Sequence, residues 1–349
     1  MTIDVGIVGL ASFYGPAYAE RAAARPDVTV AGVVPGDATG EQLAALGRPT
    51  PDAFAAAYDC PVYDDLDELL SDDAVDGVVV ASRTTRRAAD AARVLRADRP
   101  VLTAKPPAAT AEGARRIAAA AAEADVPAVT TSPARFDDAV MGLAHRVRTG
   151  AVGDVLRVHA SIRHDRVPEA GIEANAEHGP QEAGAAYAMA FYTADALLWL
   201  IDAVPQRVYA EYANLNTPHS VHPDLGTATV RFEDGTLGTM TMTYATDCRE
   251  PLGNWEFEAV GTDGTIRTRH EGYEGIHWHS NAAGRRTELF GRTQSPILDE
   301  QFAAFLETVR NGVESGAAKL SPDQAVEVME LCEAWERAAA TRTVETVSN

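Results

Sequence analysis

The chain has 349 residues, 46% of them apolar, which is enough for two domains with their own cores. Its 51 acidic residues outweigh 30 basic ones, for a net charge of −21. A surface this acidic repels nucleic acid and anionic membranes, so neither is an expected partner.

No apolar run approaches the ~18 residues of a membrane-spanning helix. The start, Met1-Thr2-Ile3-Asp4, lacks a basic signal-peptide region, so a cytoplasmic location is expected. Cys60, Cys248 and Cys332 are odd in number and widely spaced, which supports neither a disulfide framework nor a zinc knuckle. Strong acidity with alanine-rich helices resembles proteins of salt-loving or high-GC microbes. Only Lys105 and Lys319 among the 30 basic residues are lysines.

In chain order, residues 3–10 read as an apolar strand, 9–15 as a small-residue turn and 16–24 as a helix with Pro16 in its first turn. Residues 28–34 form the next strand. This is a βαβ opening, whose turn places a dinucleotide phosphate on a helix N-terminus. The turn Gly9-Leu-Ala-Ser-Phe-Tyr-Gly15 departs from G-x-G-x-x-G: Ala11 replaces the middle glycine and Gly15 comes one residue late. A glycine-rich turn without a ligand is the plainer alternative. Gly9, Ala11, Ser12 and Gly15 are the pyrophosphate candidates. An acidic residue is expected at the end of the second strand for the ribose, but Pro35 stands there and Asp37 comes two residues later. No arginine follows closely enough to argue for a 2′-phosphate, so NAD and NADP both stay open.

The alternation continues with a helix start at 64–70, a strand at 75–81, a helix at 84–95, a strand at 101–103, a helix at 110–123 and a strand at 128–131. Such spacing predicts a parallel, doubly wound sheet. Ser82, Arg83 and Thr84 follow a strand end where a cofactor passes. Arg83 and Arg87 are phosphate candidates there, although a solvated helix face is the commoner use. The strand at 101–103 runs into Lys105-Pro106-Pro107, at the edge where open α/β sheets bind ligands. A helix over 136–149 ends at Gly150, the expected boundary between a dinucleotide-binding domain (1–150) and a second domain (151–349).

The second half changes pattern. Strands are predicted at 155–164, 208–214, 227–233, 236–244, 255–260, 265–270 and 276–279, and helices at 185–200, 297–310 and 322–341. That composition predicts an α+β domain with a mostly antiparallel open sheet, whose C-terminal helices can pack back on the first domain. The open sheet face suits subunit contact, so a homo-oligomer (dimer or tetramer) is expected.

Several stretches together resemble the Gfo/Idh/MocA family of nicotinamide-dependent oxidoreductases over nearly the whole chain. They are Val5-Gly-Ile-Val-Gly9, Val62-Tyr-Asp-Asp-Leu-Asp-Glu-Leu-Leu70, Val75-Asp-Gly-Val-Val-Val-Ala81, Lys105-Pro106, Arg135-Phe136-Asp137, residues 185–200 and Gly261-Thr-Asp-Gly264. The resemblance implies a Rossmann domain followed by a mostly antiparallel α/β domain, with NAD or NADP as cofactor. The family's Glu-Lys-Pro motif matches Lys105-Pro106, with Ala104 in place of the glutamate. By the resemblance, Lys105 hydrogen-bonds the reacting oxygen. The family's Asp-x-x-x-His pair falls on Ala188 and Tyr192, counting back from Asp195 and Trp199. Tyrosine at 192 is similar to the glucose–fructose oxidoreductase and dihydrodiol dehydrogenase branch, which implies an acid/base role. An amphipathic core tyrosine is the plainer use.

Arg163 and His178, with Tyr192 and Asp195, are the substrate candidates. His178 lies in a polar loop, where plain exposure is as good a reading. His277 and His279 share a strand face, but two ligands do not make a zinc site and no metal is expected. The expected activity is hydride transfer between nicotinamide and a sugar, polyol or related hydroxy compound. A cofactor-binding sensor without turnover and an NAD-retaining glycosidase or lyase are the rival readings.

Overall fold

The computed structural model describes residues 2–164, 173–178, 180–201, 203–218, 220–244, 254–270, 274–280, 284–289, 297–312 and 320–347. Contacts gather these residues into two compact units. The first comprises Met1–Thr131, Gly171–Gly184 and Leu298–Val326, and the second comprises Ser132–Ala170, Ala185–Ile297 and Glu327–Asn349.

In the first unit, strands β1 (Ile3–Val8), β2 (Val28–Val34), β3 (Gly77–Val80), β4 (Val101–Thr103) and β5 (Ala128–Thr130) form a parallel sheet in the order β2-β1-β3-β4-β5. Every residue of β3 and β4 is buried, as a parallel strand covered on both faces requires. Helices α1 (Tyr14–Ala23), α2 (Gly40–Ala45), α3 (Pro51–Tyr58), α4 (Leu66–Leu70), α5 (Thr84–Arg96) and α6 (Ala111–Ala124) alternate with the strands. A short helix, α8 (Glu173–His178), and most of α10 (Ile297–Asn311) join this unit from later in the chain. The chain leaves β1 for β2 on one side and reaches β3 on the other. This reversal opens a crevice at the carboxyl ends of the strands.

The first turn is tighter than the sequence reading allowed. Gly9 has φ +96°, and a Cβ there would lie 2.4 Å from the Ala81 carbonyl oxygen. A Cβ on Gly15 would lie 2.1 Å from the Gly9 carbonyl oxygen. Helix α1 therefore starts at Tyr14, not at Pro16, and presses onto the turn. Helices α2 and α3 were not foreseen. Their caps are nevertheless written in the chain: Thr39 and Gln42 make a reciprocal capping box, and Thr50 caps a helix that begins with Pro51.

The second unit does not begin at Gly150. Helix α7 (Asp138–Arg148), entered through the 3₁₀ turn Pro133–Phe136, packs on α9 (Phe191–Leu200) and on β11 (Gly264–His270). Residues 132–150 therefore belong with the second unit. The sheet runs β13-β12-β11-β10-β6-β9-β8-β7-β14. Its other strands are β6 (Val155–Arg163), β7 (Pro205–Ala213), β8 (Leu225–Phe232), β9 (Leu237–Thr243), β10 (Asn254–Gly261), β12 (Glu274–Ser280), β13 (Gly284–Leu289) and β14 (Glu345–Thr346). All pairings are antiparallel except β6 with β9. Strands β13 and β14 were not predicted. The alternating burial of β8 shows one covered and one open face, and α9 lies on β6 and β9. A π-helical turn, Ala186–Ala190, precedes α9 where one continuous helix was expected. Its first residue donates N–H to the Glu336 carboxylate at 2.7 Å.

A buried ion pair anchors α9. Asp195 accepts from Arg135 Nε at 2.9 Å and Nη2 at 2.7 Å, and from the Ser132 hydroxyl. The two charged side chains are 1% and 3% exposed. Removing one partner strands the other charge in the core. Asp195→Asn is therefore expected to lower unfolding stability by about 3–5 kcal/mol in urea titrations, and Asp195→Leu with Arg135→Met by less.

Candidate active site

The predicted site residues are distributed over both units. At the carboxyl edge of the parallel sheet, Val8, Val34, Gly36, Asp37, Ser82 and Arg83 line the crevice, together with Asp64, Asp65, Asp90, Arg86 and Arg93. Gly9 N–H is tied to Val34 O at 2.8 Å and Leu10 N–H to Pro35 O at 3.0 Å, so the glycine turn is stitched to the end of β2. Ser12 is buried, and its hydroxyl accepts the Tyr14 N–H at 3.3 Å, so it braces the turn. Pro35 and Gly36 carry the chain from β2 to Asp37 at the mouth of the crevice. Thr84, expected near the cofactor, is the fully buried first residue of α5.

Two features fit a dinucleotide in this crevice. Gly9 and Gly15 let the turn pack against the Ala81 and Gly9 carbonyls directly before the N-terminus of α1, the end of a helix that favours a phosphate. Among the described residues, Ser82 Oγ is buried at the crevice with no hydrogen-bond partner, an atom that a polar ligand would satisfy. The Asp37 carboxylate lines the same crevice, just past the end of β2.

Lys105 lies one strand further along the same edge and is 6% exposed. The peptide bond to Pro106 is cis. Its surroundings are fixed by Arg87, which the sequence left as a phosphate candidate. Arg87 is 1% exposed and donates to Ser82 O from Nε at 3.1 Å and Nη2 at 2.7 Å, and from Nη1 to Pro106 O. It thus ties the loop after β3 to the loop after β4. Burial pushes its pKa down to about 10, which leaves it a cation at neutral pH.

Arg83 is held by carboxylates. Glu182 Oε1 accepts its Nε at 3.0 Å and Nη2 at 2.7 Å, and Asp37 Oδ2 its Nη1 at 3.3 Å. The bond to Glu182 raises the Arg83 pKa above the ordinary arginine range. Sequence reasoning missed Glu182, because it lies 99 residues from Arg83 in the short 3₁₀ turn Pro180–Ala183, which carries no motif. His178, taken as a substrate contact or an exposed loop residue, is buried at the end of a helix, close to Asp37. Its Nδ1 is 3.6 Å from Asp37 Oδ1, and its Nε2 is 3.8 Å from Glu177 Oε2. Helix α8 carries it there, with Glu177 accepting from Gln42 of α2 at 2.7 Å.

In the second unit, Tyr192 is buried on α9 with its ring 5.9 Å from that of Trp255. Trp255 Nε1 in turn donates to Asp137 Oδ2 at 3.3 Å. Asp195, also taken as a substrate contact, is consumed by Arg135 and Ser132 and serves the core. Arg163 pairs with Glu256 at 3.0 Å on the open face of the sheet, whereas Tyr192 lies on the covered face. The sheet therefore separates two residues that the sequence had grouped. Among the described residues, no cluster of three or more His, Cys, Asp or Glu is arranged to hold a metal ion. The side chain of His277 and all of Cys248 and Lys319 lie outside them, and His279 is exposed. No described helix is long and apolar enough to cross a membrane.

Comparison with known proteins agrees with this architecture. Residues 3–131 match the oxidoreductase family with an NAD-binding Rossmann fold, and residues 140–267 match the GFO/IDH/MocA C-terminal domain. An inositol 2-dehydrogenase from Acidothermus cellulolyticus is 37% identical over 111 residues, which is 32% of this chain and 33% of that relative's length. GenD2 from gentamicin A biosynthesis, solved in complex with NAD, is similar at TM-score 0.77 and 23% identity, covering 100% of this chain and 97% of that one. A myo-inositol dehydrogenase from Corynebacterium glutamicum superposes at TM-score 0.73 and 17% identity, covering 100% of both chains. The two matched domains, in this order and on this fold, place the chain in the Gfo/Idh/MocA oxidoreductase family, whose first domain is an NAD-binding Rossmann fold.

Proposed function

We propose that this protein is an NAD(P)-dependent dehydrogenase or reductase acting on the CH–OH group of a sugar or polyol. The observation that carries the reading is the buried Lys105 at the carboxyl edge of the sheet that also forms the crevice with Asp37 and Ser82. Partial identity to an inositol dehydrogenase supports the substrate class. When bound, the nicotinamide supplies the hydride donor or acceptor. The protein's part is to hold the dinucleotide and to manage charge and protons on the reacting oxygen. Gly9, Ala11 and Gly15 offer the turn to the pyrophosphate, and Asp37 receives the ribose hydroxyls. An ammonium at Lys105 favours the negative charge that develops when a carbinol is oxidised. Tyr192 takes and returns the hydroxyl proton. Arg87 is a positioning residue, because it fixes the carbonyl of Pro106 next to Lys105.

One observation favours a second reading, a nucleotide-binding sensor without turnover. Ala104 and Ala188 stand where the family resemblance places carboxylates. Turnover separates the two. Lys105→Ala is expected to lower kcat by about 10²–10³ while NADH affinity stays within about threefold. Tyr192→Phe is expected to do the same by about 10²–10⁴. Steady-state rates on a polyol panel, with nucleotide titrations beside them, read both. Unchanged kcat in Tyr192→Phe would remove tyrosine from the chemistry.

We also propose a homo-oligomer, a dimer or tetramer, built on the open face of the second unit's sheet. Tyr209 and Leu237 on that face are 40% and 41% exposed, while Thr239, Thr241 and Arg163 give it a mixed, largely polar surface. Light scattering at micromolar protein is expected to return two or four times the 37.0 kDa chain mass, and a monomer mass contradicts the assembly.

A further inference from the structure

The dehydrogenase reading, on which this inference rests, leaves the choice of coenzyme open. NAD and NADP differ by one phosphate on the adenosine ribose. In a Rossmann site that ribose lies at the end of the second strand, which here means beside Asp37. Arg83 reaches the same carboxylate. A guanidinium at that place is the group that suits a 2′-phosphate, through paired N–H donors. By residue type alone, Arg83 therefore argues for NADP and Asp37 for NAD.

The wider surroundings of Arg83 resolve the conflict. Its Nε/Nη2 edge, the fork that would grip a phosphate, is occupied by one oxygen of Glu182 at 3.0 and 2.7 Å. The remaining Nη1 faces Asp37 at 3.3 Å. Glu182 is itself fixed: Thr85 donates its hydroxyl to Oε1 at 2.9 Å and its N–H to Oε2 at 3.3 Å, at the start of α5. The Glu182 side chain is 9% exposed, so water screens it weakly. On the other side of Asp37, His178 Nδ1 stands 3.6 Å away. Two carboxylates thus share one guanidinium, and the cluster presents net negative charge to an incoming phosphate. Asp64, Asp65 and Asp90, set against Arg86 and Arg93 in the same crevice, add no cationic excess.

We propose that Glu182 sets coenzyme specificity: by holding Arg83 against Asp37 it denies the guanidinium to a 2′-phosphate and selects NAD over NADP. Glu182 acts through Arg83 and is a positioning residue. It comes from a segment that lies after the first strand of the second unit's sheet in sequence, yet belongs to the first unit.

The test is fluorescence titration of the full chain with NADH and with NADPH. The wild type is expected to prefer NADH by about tenfold or more. Glu182→Gln keeps the shape and removes the charge. It should tighten NADPH by about tenfold and leave NADH within about threefold, with the gain shrinking at high salt. Adding Arg83→Ala to Glu182→Gln should erase the gain, while Glu182→Asp should restore most of the wild-type ratio. An unchanged NADPH/NADH ratio in Glu182→Gln overturns the proposal. So does an equal loss of both affinities, which marks a merely structural contact, and so does a wild type that prefers NADPH. If Glu182→Gln does not fold, Arg83→Ala alone decides. Unchanged NADPH affinity is the expected result, and a loss of about tenfold or more shows that Arg83 binds the phosphate after all. A wild type that binds neither nucleotide contradicts the dehydrogenase reading itself, and is thereby told apart from a failure of the specificity account.

Discussion

The close approach of Gly9 to the Ala81 carbonyl is the constraint on which the first unit's site depends. It joins the end of β1 to the end of β3, the two strands between which the chain reverses direction. Any side chain at Gly9 would collide with backbone, so the turn keeps its left-handed glycine and the helix behind it can seat on Gly15. The crevice, the buried Ser82 hydroxyl and the loop that leads into α5 all sit on that junction. Arg87 extends the same logic by one strand, because its guanidinium carries the position of Ser82 over to Pro106. A buried cation is costly unless its donors are used, and here three nitrogens meet backbone oxygens.

Charge in the first unit is arranged in pairs rather than left as a field. The chain is strongly acidic as a whole, yet the crevice holds arginines and aspartates side by side. This gives local control over what an anionic ligand meets. It also lets a distant segment take part, since Glu182 reaches α5 and α8 rests on α2. In the second unit the comparable investment is the Asp195–Arg135 pair, which is closed to solvent and serves to hold α9. The two clusters contain the same residue types, and burial decides their different uses.

Much of this was legible in the sequence. The alternation of apolar runs and helices gave the five parallel strands, and the late hairpins gave the antiparallel sheet, because both signals are periodic and local. The places of the glycine turn and of Lys105, each at the carboxyl end of a strand, were legible because each follows its strand directly. What escaped was either weakly patterned or non-local. Helices α2 and α3 are too short for periodicity to show, and only their caps betray them. Asp195 looked like a site residue because nothing in its neighbourhood announces Arg135, 60 residues away. Arg163 was placed with Tyr192 because strand parity does not say which face a distant helix will cover. Arg83 was read without its partner, since Glu182 is separated from it by 99 residues. The cut at Gly150 rested on a good helix cap, whereas packing put that helix with the second unit.

The proposed reaction moves hydride between a carbinol carbon and nicotinamide. Isotope tracing tests it without assuming which residues act. The wild-type protein would be incubated with NAD and a panel of polyols and sugars deuterated at carbon, and the reduced nucleotide analysed by mass spectrometry. NADH carrying one deuterium from at least one polyol, with none acquired from deuterated water, is the expected result. Unlabelled NADH, or none at all across the panel while the nucleotide is bound, would contradict it.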